Sequence, residues 1–426
     1  MPRHGRFALA LGLCALGLLS AAPARPAGFS GPPPGIKAMG MAGAFTAQAN
    51  DPTSAYFNPG GMALLKKGKL TAGATGLVLN ESQYQGLSPG IGAGTTGEQE
   101  QGVSWPAHAY FVQPLSPMLK LGIGVSSPYG FKNEWTGSTA FPGRFISEAS
   151  ELQTYDASTS IGLVLTQNLG LGVGAVYRSS KLTHSRHLAG TDPDTGQTIS
   201  IADINAETDF NDGFGWYAGL LHRIGKKFAW GVTYRSPIEI DYTGAGRLTL
   251  IPTGNAQLDE LTRATLPLDQ DLPIATTISF PDTATLGLAY FPSEKSAIEL
   301  DVERFGWSEQ QGIAVLFPIN PPFSRTLQGA YEDAFAYRLG MRFGLGKGIQ
   351  VRLGYAFEET PQPDASVGPF LPDANRSVFS LGIGRDWLDI GVQLVAPENR
   401  ITRTNADNLN GAYSGNSWML GISVTK

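Results

Sequence analysis

The chain has 426 residues, and its 31 Lys and Arg against 36 Asp and Glu leave a net charge of −5. Only 16% of residues are charged, against ~25% in an ordinary soluble domain, whereas Gly occurs 54 times and apolar content is an ordinary 42%. These values exclude a basic nucleic-acid binder and an acidic disordered chain.

Residues 1–24 read as a signal peptide. Arg3 and Arg6 form a basic n-region, Phe7–Leu19 a short apolar h-region, and Ala22-Pro23-Ala24 a small-x-small cleavage site. The apolar stretch is shorter than the ~20 residues that span a bilayer. Cys14, the single cysteine, leaves with this segment, so no disulfide and no thiolate chemistry is expected afterwards. No later stretch is apolar for the length a spanning helix needs. An exported chain of that kind is either soluble or a closed barrel.

Residues 25–67 are rich in Gly, Ala and Pro and show no strand alternation. Met39, Met41, Phe45, Tyr56, Phe57, Met62, Leu64 and Leu65 make the segment too apolar for a solvated tail. It is expected to plug a barrel too wide for its own side chains to fill.

From residue 68 to 426 the chain alternates with period two. In Phe228–Tyr234 the residues Phe228, Trp230, Val232 and Tyr234 oppose Ala229, Gly231 and Thr233. In Tyr337–Phe343 an apolar face opposes Arg338, Gly340 and Arg342; in Ile298–Glu303 one opposes Glu299, Asp301 and Glu303. Alternation marks strands. An apolar, aromatic-bracketed face backed by small or ionised residues is the signature of lipid outside and a wet lumen inside. Six short turns and seven long loops, among them Glu81–Gly102, Ser127–Glu151, His187–Asp212 and Ile251–Pro273, separate the expected segments. The predicted fold is all-β: a transmembrane antiparallel β-barrel of 14 strands with an N-terminal plug.

Five strings, in order, carry a family resemblance: GIKAMGMAGAFTAQANDPTSAYFNPGGMALL, SSPYGFKNEW followed by FPGRF, YRSPIEIDYTG, PDTATLGLAYFP and LGYAFEETPQPD. The chain resembles the long-chain fatty-acid transporter family of outer-membrane proteins (the FadL/TodX type). Asn58-Pro59-Gly60 stands at the hatch motif Asn-Pro-Ala, with Gly for Ala, a change expected to cost little bulk and to loosen the backbone. The chain ends Ser423-Val424-Thr425-Lys426 rather than on an aromatic, although Trp418, Leu420, Ile422 and Val424 still share one face.

The resemblance implies a monomeric barrel in the Gram-negative outer membrane. It implies folding by the barrel-assembly machinery, contact with outer-membrane lipid, and a hydrophobic small molecule as cargo, either a long-chain fatty acid or an aromatic hydrocarbon. Outer loops capture the cargo, an internal site binds it, and after hatch movement it leaves sideways at a kinked third strand. No cofactor, metal, nucleic acid or catalytic residue is implied. Burial is worth ~0.8 kcal/mol per CH₂, so a ~16-carbon chain costs on the order of 12 kcal/mol to hold in water. A greasy site and a lateral exit suit such a solute.

For the exit, Gly122, Gly124 and Pro128 on the third strand favour a local break, or else make room for the plug. Phe45, Tyr56 and Phe57 either line the internal site or wedge the plug. In the second loop Phe131, Trp135, Phe141 and Phe145 are ligand contacts or loop packing. Leu258, Leu261 and Thr262 have the spacing of a short amphipathic helix that presents a groove. Arg178, Arg235, Arg338, Arg342 and Arg352 have lumenal parity; Arg178 and Arg235 are the preferred partners for a carboxylate. Pairing with Glu299, Asp301, Glu303 and Glu358 on the same face is the commoner use of such residues. His184 and His187 have opposite parity, which disfavours a metal site. Two other classes remain. A general diffusion porin would conduct ions without hydrophobic uptake. An outer-membrane lipase would hydrolyse esters, but no G-x-S-x-G elbow is present.

Overall fold

The computed structural model describes residues 28, 30–79, 82–100, 103–136 and 141–426. The expected signal peptide lies outside the described residues. Fourteen antiparallel strands close into a barrel. They are β1 (Lys69–Leu79), β2 (Ala107–Pro114), β3 (Leu119–Ser126 and Gly130–Thr136), β4 (Ala149–Thr166) and β5 (Leu169–Thr191). There follow β6 (Thr198–Thr208 and Asn211–Ile224), β7 (Phe228–Arg235 and Ile238–Leu250), β8 (Asp271–Phe280 and Thr283–Ser293) and β9 (Ser296–Phe305). The last are β10 (Ala334–Gly346), β11 (Ile349–Glu358), β12 (Arg376–Arg385), β13 (Leu388–Pro397) and β14 (Ser417–Thr425). Closure is made by β1 against β14, from Thr71↔Thr425 to Leu79↔Ser417.

The two faces have the character read from parity. Val232, Leu300, Tyr337 and Leu420 stand outward and exposed, while Ala229, Glu299, Asp301 and Arg342 are buried inward. A soluble protein does not tolerate so large an apolar exterior. Lipid accounts for it. No helix among the described residues is long and apolar enough to cross a membrane. Trp418, Leu420, Ile422 and Val424 all face outward despite the unusual C-terminus.

Several boundaries differ from expectation. The loop expected over His187–Asp212 is mostly strand: β5 runs on to Thr191 and β6 begins at Thr198. The hairpin continues above the membrane because its inward residues Leu182 and Ile204 join the main apolar cluster. Likewise the loop expected over Ser127–Glu151 contains the upper half of β3. β9 stops at Phe305, just before Trp307 turns into that cluster. The outer loops pack on one another through a second cluster that includes Tyr84, Trp135, Phe141 and Tyr413.

Residues 30–65 lie among the inward residues of the strands. Three short helices, α1 (Ile36–Met39), α2 (Ser54–Phe57) and α3 (Pro59–Ala63), are joined by turns. Met39, Met41, Phe45 and Met62 are fully buried. Close approach explains much of the glycine content. A Cβ at Gly354 would stand 2.2 Å from the Met41 carbonyl carbon, and one at Gly340 2.8 Å from the Met41 Cβ.

Candidate functional site

Asn58 is the node of the lumenal segment. Its Oδ1 accepts the Gly60 N–H at 2.9 Å and so caps α3, where Pro59 occupies the first turn. Its Nδ2 donates to Thr46 O at 2.9 Å and to Leu220 O of β6 at 3.1 Å. One side chain therefore ties two arms of the segment to the wall. Gly60 corrects the expectation of a harmless departure. A Cβ there would lie 2.6 Å from Gly170 O and 2.8 Å from Gly219 O, so the close fit to β5 and β6 has no space for alanine.

Two carboxylates of β9 grip the same segment. Asp301 Oδ2 accepts the N–H groups of Phe45 and Thr46, each at 3.0 Å. Glu299 accepts those of Ala47 and Gln48, the latter at 3.0 Å. Residues 299 and 301 share the inward face, and four successive amides lie along them. Mutual pairing with arginines, the use expected for all four acids, holds for Glu303 and Glu358 but not here. Arg338 joins Glu303 at 3.1 Å and also Glu358, which Arg376 shares. Arg352 pairs with Asp389 at 2.6 Å, and Arg342 reaches Gln48 Oε1 at 3.2 Å.

Beside this clamp lies a cavity of about 500 Å³, within the range of small-molecule sites. Tyr56 and Phe57 line it, as does Phe131. Phe45 does not: it is packed with Met41 and Phe57 and wedges the segment. Trp135 is also elsewhere, within the loop cluster, where its Nε1 donates to Pro369 O at 2.8 Å. Leu258 and Leu261 sit on α4 (Ala256–Thr265), a helix as the spacing predicted, capped by Asn255 Oδ1 at 3.1 Å from both Gln257 and Leu258 N. Neither leucine lines the cavity, and Leu261 points to the outside.

The two preferred arginines part company. Arg178 is committed to Asp156 through two bonds of 2.8 Å and stacks over Tyr129 and Phe280. The Asp156 carboxylate takes the whole Nε/Nη2 edge of its guanidinium and neutralises its charge. Arg235 lines the cavity, donates to Tyr56 O, and lies over the rings of Tyr56 and Tyr217 at 4.0 and 4.8 Å. Of the cavity-lining cations Lys132, Arg235, Arg338 and Arg376, Arg235 alone has no carboxylate within ion-pair distance among the described residues.

The break in β3 is at Ser127-Pro128-Tyr129. Gly122 and Gly124 are regularly paired with both β2 and β4; a Cβ on them would strike Met62 Sδ at 2.4 Å and the Tyr110 ring at 2.3 Å. They make room, and Pro128 makes the break. Pairing of β3 with β2 ends at Ala109↔Val125, while the upper extension of β2 at Val103–Ser104 pairs only with β1 among the described residues. The cavity reaches this gap: Trp105 and Tyr155 both line it, yet are 68% and 54% exposed on the exterior. The N-terminal stretch covers the broken strand from inside, through a bridge Ser30↔Tyr129 and Gly31 N donating to Pro128 O at 2.8 Å.

A family model for outer membrane protein transport proteins (OMPP1/FadL/TodX) matches residues 17–426. The chain belongs to that family. It is an outer-membrane protein, and a channel rather than an enzyme. It is 23% identical over 403 residues to a long-chain fatty acid transport protein of Escherichia coli O6:H1, covering 88% of each chain. It is 23% identical over 296 residues to outer membrane protein P1 of Haemophilus influenzae, covering 64% of this chain and 61% of that one. Among solved structures it resembles a Pseudomonas aeruginosa FadL homologue with TM-score 0.77 at 20% identity, over 94% of this chain and 99% of that one. The toluene transporter TodX of Pseudomonas putida superposes with TM-score 0.68 at 16% identity, over 88% and 94%.

His184 and His187 do not converge. His184 is buried with Nδ1 3.0 Å from Ser150 Oγ, whereas His187 Nε2 is 3.2 Å from Glu148 Oε1 and its Nδ1 2.8 Å from Ser200 Oγ. Glu148, His187 and Asp203 bring ligand-type atoms within 4.8 Å of one another, with His187 already hydrogen-bonded on both nitrogens.

One loop carboxyl links the N-terminal stretch to the outer loops. Asp373 Oδ2 accepts from Gly28 N at 2.8 Å and Thr360 Oγ1 at 2.6 Å. Burial raises it to about 7, against these two hydrogen bonds, which lower it. An acid whose folded value is raised stabilises below its unfolded value and loses that contribution as pH rises. The stability contributed by this buried carboxyl is therefore expected to be fullest in acid and to be lost between pH ~4 and ~7. Thermal unfolding in detergent should show stability falling across that window in the native chain and a flatter profile in Asp373→Asn.

Proposed function

We propose that the chain is an uptake channel for hydrophobic compounds, with long-chain fatty acids as the favoured cargo, and that residues 25–67 are its plug. The observation that carries this reading is the cavity itself. Tyr56 and Phe57 line it, it holds one cation without a carboxylate partner among the described residues, and it extends to Trp105 and Tyr155, beside the stretch where β2 and β3 are no longer paired. A carboxylate would take Arg235, and its hydrocarbon chain would run toward the gap at Trp105 and Tyr155. The E. coli relative, named a long-chain fatty acid transport protein, supports the acid; TodX, titled a toluene transporter, supports a neutral hydrocarbon.

Arg235 separates the two. Uptake of labelled palmitate and of toluene should be compared in cells that carry the native chain or Arg235→Gln. A charge-assisted hydrogen bond contributes ~1.5–3 kcal/mol, so palmitate affinity should fall by roughly ten- to a hundredfold while toluene entry is unchanged. Equal palmitate uptake by both chains would remove Arg235 as the carboxylate's partner, and entry of toluene without palmitate into cells with the native chain would leave the hydrocarbon. Ion conductance with no uptake of either would sink the whole reading in favour of a diffusion porin.

A further inference from the structure

Charge is distributed unevenly around the end of the barrel that carries the short turns, which is the periplasmic end by the barrel convention. Lys66, Lys67 and Lys69 stand exposed where the chain enters β1, and Lys226 and Lys227 in the turn between β6 and β7. Lys295, Lys347 and Arg385 are exposed at the next three short turns, and Lys426 after β14. None of these cations forms an ion pair among the described residues. The exposed acids at the same turns are Glu294 and Asp386.

Immediately above these cations the outer wall is apolar: Ile224, Phe228, Leu345 and Trp387 are all more than half exposed. The cations therefore lie just beyond the hydrocarbon boundary, at the depth of phospholipid headgroups. Two turns break the pattern. Ser116-Pro117-Met118 between β2 and β3, and Gln167-Asn168 between β4 and β5, carry no charge. The nearby Lys120 is turned inward and buried, with Nζ 3.1 Å from Ser116 O and 3.3 Å from Pro117 O. The uncharged arc runs below β2 to β5, beneath the gap at the β3 break.

We propose that the basic arc from β6 round to β1 is a binding surface for anionic phospholipid headgroups of the periplasmic leaflet, and that the neutral arc leaves the lateral opening free of them. Clustered exposed cations next to an apolar band attract anionic lipid, and the attraction weakens within a Debye length, ~8 Å at physiological salt. Ammonium groups with no protein partner are free to serve phosphate oxygens. On the gap side no such group competes for a released carboxylate or draws headgroups across the opening.

The test is native mass spectrometry of the purified channel, released from nanodiscs of equal parts phosphatidylglycerol and phosphatidylcholine. The native chain should retain phosphatidylglycerol in excess. Gln at positions Lys66, Lys67, Lys226, Lys227, Lys295 and Lys347 together should lower that excess by roughly tenfold, and Arg at the same positions should keep it. Gln at the outer-loop positions Arg247, Arg263 and Arg403 should leave it unchanged. Retained heat-modifiable mobility on gels shows that each variant is folded. Equal lipid retention by the native chain and the six-position Gln variant would overturn the proposal, as would its loss on adding inorganic phosphate at constant ionic strength.

Discussion

Replacing both Glu299 and Asp301 by Ala is expected to convert a tight channel into a leaky one. The double variant leaves the four N–H groups of Phe45, Thr46, Ala47 and Gln48 inside the barrel without their acceptors. Each unsatisfied buried donor costs ~1–3 kcal/mol, so the segment loses several kcal/mol of its attachment. The wall should survive, because β9 keeps its full ladders to β8 and β10. The readouts are single-channel conductance in planar bilayers and entry of a small hydrophilic antibiotic; both should rise, with directed uptake reduced. Glu299→Gln with Asp301→Asn keeps acceptor oxygens at the same places and should fall between. Unchanged conductance in the double-Ala chain would show that the clamp is dispensable and that Asn58 and the apolar wedge hold the segment alone.

Deleting Pro128 should close the lateral route. In the register of β3 against β4, Ser126 faces Asp156 and Gly130 faces Gln153. Three residues of β3 thus oppose two of β4, which is the arithmetic of a bulge. Removing one residue restores one-to-one pairing, so β3 can run straight and offer β2 above Ala109 the stretch that Ser30 and Gly31 now cover. Pro128 is the residue to remove because it has no N–H to give to either ladder. Uptake should fall to the background of cells without the channel, while cargo still binds to purified protein. Retained uptake would mean that cargo leaves elsewhere than between β2 and β3.

How far the sequence could be read varied with the kind of contact involved. Strand faces were legible, because each residue of β7 or β10 reports in turn on lipid and on lumen. The hairpin of β5 and β6 above the membrane was not, since its inward Leu182 and Ile204 meet loop residues rather than neighbours in sequence. Gly60 was misjudged because the carbonyls of Gly170 and Gly219 that forbid a Cβ belong to strands far along the chain. The carboxylates of β9 were seen on the lumenal face, but their partners, more than 250 positions away, are backbone amides that carry no side-chain signature.

Period-two alternation, the missing charge and the apolar N-terminal segment are local properties, and they point to an outer-membrane barrel before any contact is known. Which arginine keeps no carboxylate partner, which carboxylates hold the lumenal segment and where the third strand parts from its neighbour depend on groups that meet only after the barrel closes. Arg178 and Arg235 have the same parity and the same chemistry. Asp156 stands across the ladder from one of them, and a cavity stands beside the other.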